Sequence, residues 1–233
     1  MPSRWLDYLI TETAASQIQA YQPQLVPDLL QTPDYARAVI GADPAVLAGA
    51  HDRVLEAMLT RQQVILGERR PELAVVIGEA ALYQVVGGTE VMRAQLARLA
   101  EMSGTYSQIT TQVSPFAAGA PPAGGNGPLS ILRFADAQSL GVVHLPGPSG
   151  GICLHSPPDV ASHVRAFTLL KASALTRPRP RDCSGTWTHA KAAQLRTPPL
   201  VHTANTSRAG YVHDHMTRSS LKDDQIRQGR NSA

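Results

Sequence analysis

The sequence is short of aromatic residues (5%) and of charged ones (17%), carries two cysteines in 233 residues, and has no long apolar run. Each shortage excludes something. No stretch approaches the roughly 18 or more apolar residues that a membrane-spanning helix needs. The N-terminal MPSRWLDYLITETAAS is interrupted by Asp7 and Glu12, which a secretory leader would not tolerate. Cys153 and Cys183 cannot frame a disulfide scaffold in a chain of this size, so a reduced, cytoplasmic setting is expected. A hydrophobic content of 43% over this length is enough for one core-bearing domain plus an appendage.

The net charge of +3 is unevenly spread. Residues 1–176 hold 11 Lys+Arg against 14 Asp+Glu, whereas residues 177–233 hold 10 against 4. A basic surplus marks a nucleic-acid surface only when folding concentrates it. Here it is scattered among Pro, Thr, Ser and Gly, so direct DNA binding is not expected.

The spacing of Trp5, Leu6, Leu9, Ile10, Ala14 and Ile18 predicts a helix over residues 4–20, with Ser3 as N-cap. Residues 21–27 are expected to be extended, since a residue before proline leaves the α region. In VPDLLQTPDYARAVI, Thr32 and Pro33 form a helix start with Asp34 at the positive end of the dipole. PDLLQT then reads as a tight connection that plants Leu29 and Leu30 against the first helix. Asp43-Pro44 ends the second helix, and a third is expected over residues 45–66, where His51 reads as an exposed or capped helical histidine. The period then changes. A strand over Leu73–Ile77, a short helix or turn, the Gly87-Gly88 turn with Thr89 as N-cap, and a helix to about Ser103 follow. YSQITTQVSPF alternates as a half-buried strand; PLSILRF, SLGVVHL and GGICLH read as further strands, and Pro158-Asp159 opens a last helix. The plan is α+β: an N-terminal helical subdomain, then an antiparallel or mixed sheet with flanking helices.

Candidate chemistry is sparse. Gly124-Gly125-Asn126-Gly127 and Gly150-Gly151 lack the strand-to-helix context of a phosphate loop and read as hairpin turns. Cys153 and His155 share a strand face and His163 lies on the next helix, but zinc needs a fourth ligand and supporting partners. His213-Asp214-His215 falls in the basic tail. Glu79 and Glu90, flanking the Gly-Gly turn, read as caps. No nucleophile–base arrangement has its local context, so no catalytic residue, metal or cofactor is expected.

Three elements in one order carry a resemblance: VPDLLQTPDYA, then EAALYQVVGG, then QVSPFAAG. Over roughly residues 5–176 the chain resembles the C-terminal domain of unknown function of actinobacterial Xre-type, antitoxin-like transcriptional regulators. It departs from them in Asp28, where they carry Gly, in Gly78-Glu79, where they carry Asp-Glu, and in Pro146, where an acidic residue is usual. They also carry a helix-turn-helix domain ahead of this region. The resemblance implies a sensing module for a small co-encoded partner protein or a small-molecule effector, non-enzymatic, with no membrane contact and with homodimerisation open. A helical subdomain docked on a sheet makes a cleft that PDLLQT would line. The ligand- or partner-binding candidates are therefore Leu29, Gln31, Thr32, Tyr35, Gly87 and Gly88. The rival reading is a hydrolase-like enzyme using the same cleft.

From Arg177 onward no period persists, and apolar residues are too few to offset the entropy of ordering. Back-translated with GC-rich codons and shifted by two bases, Arg177–Lys191 reads PPASRLLGHVDPRE. Joined to Leu175-Thr176, this supplies the serine cap and leucine pair with which relatives continue. The tail over residues 177–233 is accordingly expected to be an out-of-frame translation, disordered and without a site. The nucleotide sequence of the gene checks this directly.

Overall fold

The protein is described from a computed structural model, covering residues 3–67, 70–122, 127–136, 139–147 and 150–176, with side chains from Tyr8 onward. The tail, including Cys183 and His213-Asp214-His215, and residues 124–126 of the glycine-rich loop lie outside the described residues.

The α+β plan is present, built on a mixed sheet. In chain order the main elements are α1 (Ser3–Thr13), β1 (Gln17–Gln22), α2 (Pro33–Ala42), α3 (His51–Leu66), β2 (Glu72–Gly78), α4 (Ala80–Tyr83) and α5 (Thr89–Thr105). There follow β3 (Ile109–Ser114), β4 (Leu129–Arg133), β5 (Val142–Leu145), β6 (Ile152–Leu154), α6 (Pro157–Ser173) and β7 (Leu175–Thr176). Short 3-10 turns occupy Asp28–Leu30, Ala48–Ala50 and Phe116–Ala118. The strand order is β6-β5-β4-β1-β2-β3-β7. β1, β2 and β3 run parallel and are linked by helical crossovers, while β4, β5 and β6 form an antiparallel meander and β7 adds two residues beside β3.

The first helix is shorter than its apolar spacing suggests. It ends at Thr13, and residues 17–20, expected to continue it, form with the extended Tyr21 and Gln22 a central strand. QIQAYQ alternates as well as it spirals, and Ile18 serves both patterns. Pairing decides: β1 is hydrogen-bonded to β2 on one side and β4 on the other, which satisfies backbone groups that a helix end would leave open. Ile10 is 64% exposed, and among the described side chains of α1 the buried ones are Tyr8 and Glu12.

Alternation along the strands divides the core. Ile18, Leu73, Val75, Ile77, Ile109, Val113 and Leu132 face the layer of α1, α3, α5 and the Asp28–Leu30 turn. Tyr21, Val76, Leu129, Ile131 and Val143 face Val160, Phe167 and Leu170 of α6. Gly78 is where β2 meets the chain leaving β1: an added Cβ would overlap the Pro23 carbonyl, so a side chain here would force the two apart. At the start of α5, Gly88 (φ 96°) is the N-cap and Thr89 the first helical residue, one position later than the cap expected for Thr89.

The Asp28–Leu30 turn is fastened by polar side chains. Gln62 Nε2 donates to Asp28 O (2.8 Å) and Gln31 O (2.9 Å), and Gln95 Nε2 donates to Leu30 O (2.8 Å). Gln95 Oε1 accepts from Thr32 N (2.7 Å), Gln31 Nε2 donates to Val26 O (2.7 Å), and Tyr35 Oη accepts from Val26 N (3.2 Å). Thr32 Oγ1 caps α2 by accepting from Tyr35 N, as its position before Pro33 suggests. Leu29 and Leu30 are buried, but the turn packs chiefly on α3 and α5, not on α1 as expected.

Gln95 is fully buried, and its amide satisfies one donor and one acceptor of the turn. Gln95→Leu keeps the volume and strands both groups, at about 1–3 kcal/mol each. The urea midpoint should fall accordingly with an unchanged m-value; an unchanged midpoint would mean that the turn is held without Gln95.

Candidate functional site

Two neighbouring cavities share Asp28 and Arg61 as a common wall. The smaller, about 50 Å³, sets Tyr8, Glu12, Ser130 and His144 among apolar side chains such as Ile18, Leu29 and Leu73. It has room for one or two waters. The larger is a cleft of about 530 Å³ bounded by α1, α2, α3 and the β5–β6 turn, with Val39, Ile40, Val46, Val54 and Met58 on its walls.

Between them lies an ionic cluster joining three segments distant in sequence. Arg61, on α3, forks onto Glu12 of α1: Nε donates to Oε2, and Nη2 to Oε1 at 3.0 Å. Its Nη1 donates to Asp28 Oδ2 at 3.0 Å, and Tyr8 Oη donates to Glu12 Oε1 at 2.6 Å. The guanidinium also lies 5.5 Å from the centre of the Tyr8 ring. The Arg61 and Glu12 side chains are 10% and 0% exposed, so this pair is buried, while Asp28 is 39% exposed and opens to the cleft. Removing one partner of such a pair leaves an uncompensated buried charge, a loss of about 3–5 kcal/mol.

The local electrostatics follow from this packing. Burial alone would pull Arg61 down, but the Glu12 hydrogen bonds and the Asp28 and Glu12 charges outweigh it and hold the group well above its ordinary value. Burial first, and then the Glu12 charge, push the Tyr8 phenol far up, so it remains a hydrogen-bond donor. His144, on β5, stacks on Tyr8 with ring centroids 4.0 Å apart, and its Nε2 lies 3.2 Å from Gly150 O. A carbonyl only accepts, so Nε2 carries a proton. Burial is the main cause that holds His144 below its ordinary value; the Gly150 hydrogen bond opposes it, and the Arg61 charge reinforces it. Gly151 makes this geometry possible: its φ is +82°, and an added Cβ would come within 2.5 Å of His144 Nε2.

Of the six residues put forward from the sequence, Leu29 lines the small cavity. Gln31 and Tyr35 are buried, and with Thr32 they fasten the turn. Gly87 and Gly88 form an exposed turn with positive φ, Gly87 lying beside Ala38 of α2. Asp28, where relatives were expected to carry Gly, adopts no positive φ, so the departure carries no backbone strain. Glu79 is a fastener too: its Oε2 accepts from Phe116 N at 2.7 Å. Cys153 and His155 sit on and beside β6, and no group of metal-ligating side chains forms among the described residues.

Tyr8, Glu12, Arg61 and His144 were not singled out from sequence. The only local signal was Glu12, an acid one helical turn from Tyr8 on a helix read as apolar. Its partner lies 49 residues away, and no spacing rule reaches that far.

A family described as a domain of unknown function (DUF5753) matches residues 5–183, most of the chain. The protein belongs to this DUF5753 family. No curated protein and no solved structure matches the chain. The cleft and its ionic floor fall within the DUF5753 match. No helix of the described part of the domain is long and apolar enough to cross a membrane.

The His144 geometry sets a pH dependence. With its folded pKa below the unfolded value near 6.5, the unfolded chain takes up the proton first. Its contribution to stability is full above about pH 6.5 and declines as pH falls toward the folded value. Calorimetry between neutral and mildly acidic pH should show a smaller drop in Tm for His144→Phe than for the parent. Equal drops would remove His144 from the account.

Proposed function

We propose that this DUF5753 domain is a non-catalytic regulatory module whose cleft binds a small-molecule effector or a small partner protein encoded beside it. In this reading it acts in the cytoplasm on transcription through what it binds, without DNA or membrane contacts of its own, as the resemblance to Xre-type regulators implies. The observation that carries the proposal is the cleft. Its volume of about 530 Å³ lies in the range of small-ligand sites, roughly 300–1,000 Å³. Its walls are apolar and come from three helices and a turn, an arrangement that a ligand can tighten by bridging separate segments.

The polar groups support binding over catalysis. Among the described residues lining the cleft there is no serine, cysteine, histidine or lysine. Arg61 is engaged by two carboxylates, and Glu12 by Arg61 and Tyr8. Charges so committed serve to orient a bound molecule.

The test compares the full chain with Ala57→Trp, which fills the cleft from an exposed position of α3. In native mass spectrometry against a metabolite extract, the parent should retain an unchanged species at one per chain and the variant should not. Steady conversion of an extract component by the parent, lost in the variant, would replace this reading with the enzymatic one.

A further inference from the structure

We infer that the occupant of the cleft is a small organic cation with an apolar body, its charged head placed against Asp28. This rests on the binding role proposed above and names the ligand chemistry. The cleft is apolar along Val39, Ile40, Val46, Val54 and Met58, yet its charged groups are unbalanced. Among the described residues lining it there are two carboxylates, Asp28 and Asp43, and one cation, Arg61, which is already paired with Asp28 and, behind it, with a third carboxylate, Glu12.

The positions of these charges favour one sign of ligand. Three nitrogens of Arg61 already donate to Glu12 and Asp28, so an anion would meet a neutralised guanidinium and the carboxylates holding it. Asp28 is different. Its Oδ2 takes Arg61, while its Oδ1 receives no hydrogen bond from a described residue, and the side chain is 39% exposed. That oxygen is a ready acceptor for an ammonium or amidinium N–H, and charge-assisted hydrogen bonds are the strong ones. Asp43 stands exposed at the rim, where it adds negative potential to the entrance. The apolar walls select the body of the ligand and the unspent carboxylate oxygen selects its head. The size of the cleft suits a molecule of drug-like dimensions.

The experiment is isothermal titration of the full chain with three probes sharing one apolar body: 4-phenylbutylamine, 4-phenylbutanol and 4-phenylbutyrate. The amine should bind at least about tenfold more tightly than the alcohol, the usual worth of a hydrogen bond to a charged group, and the carboxylate more weakly than both. Asp28→Asn, its folding checked by circular dichroism, should bring the amine and the alcohol to equal affinity. Ala57→Trp should abolish binding of all three. An amine no tighter than the alcohol, a carboxylate that binds best, or no binding by any probe overturns the cationic assignment, while the mass-spectrometric test judges the binding role separately. A blocked leucine–lysine–leucine tripeptide that binds much more tightly than the amine makes the occupant a protein segment and also overturns it. Amine binding that survives Ala57→Trp places the site elsewhere and overturns both readings.

Discussion

Arg61 is the constraint on which the rest of this structure depends. It reaches from α3 to Glu12 on α1 and to Asp28 in the turn after β1, joining three pieces of chain at the centre of the helical layer. Burying a guanidinium is unfavourable unless its charge and its donors are met. Here a forked carboxylate, a second carboxylate and an aromatic ring meet them together. The pair fixes where α3 lies relative to α1, and that placement makes one wall serve two cavities, one small and one large.

The turn at Asp28–Leu30 shows a second use of buried polarity. Gln62 and Gln95, from α3 and α5, take up carbonyls of the turn, and Gln31 and Tyr35 close the segment before it. Backbone buried against two helices must find partners, and a glutamine amide supplies a donor and an acceptor at once. The turn is thereby held firmly enough to present Asp28 at a defined place on the cleft. The residues of the most recognisable stretch thus build the wall, and most of the cleft's lining comes from elsewhere.

Much of the fold was legible locally. Thr32-Pro33 starts α2 and Asp43-Pro44 ends it, because capping and proline geometry act within a few residues. The Leu73–Ile77 strand, the α5 helix and the β3 strand follow from their patterns, although β3 is not the half-buried alternation expected, since Thr111, Gln112 and Val113 are all buried. The error at residues 17–20 has a specific cause: a short segment compatible with two periods goes to whichever offers hydrogen-bond partners, and β2 and β4 are 50 or more residues away. The Asp28–Leu30 turn was correctly read as tight and buried, but the glutamines that hold it come from two later helices.

The amino-acid sequence by itself determined the α+β plan, the bounds of α2, and the family to which the chain belongs, since these rest on short-range sterics, periodicity and ordered motifs; the third helix, expected from residue 45, starts only at His51. Only the tertiary structure decided which side chains form the site. Tyr8, Glu12, Asp28, Arg61 and His144 are unremarkable in their own neighbourhoods. They come together because the β1–β2 crossover stacks α3 beside α1 on one face of the sheet and β5 brings His144 onto Tyr8, leaving Arg61 and Asp28 as the charged wall shared by the two cavities. Charge pairing depends on distance in space, and the chain separations involved carry no local signature.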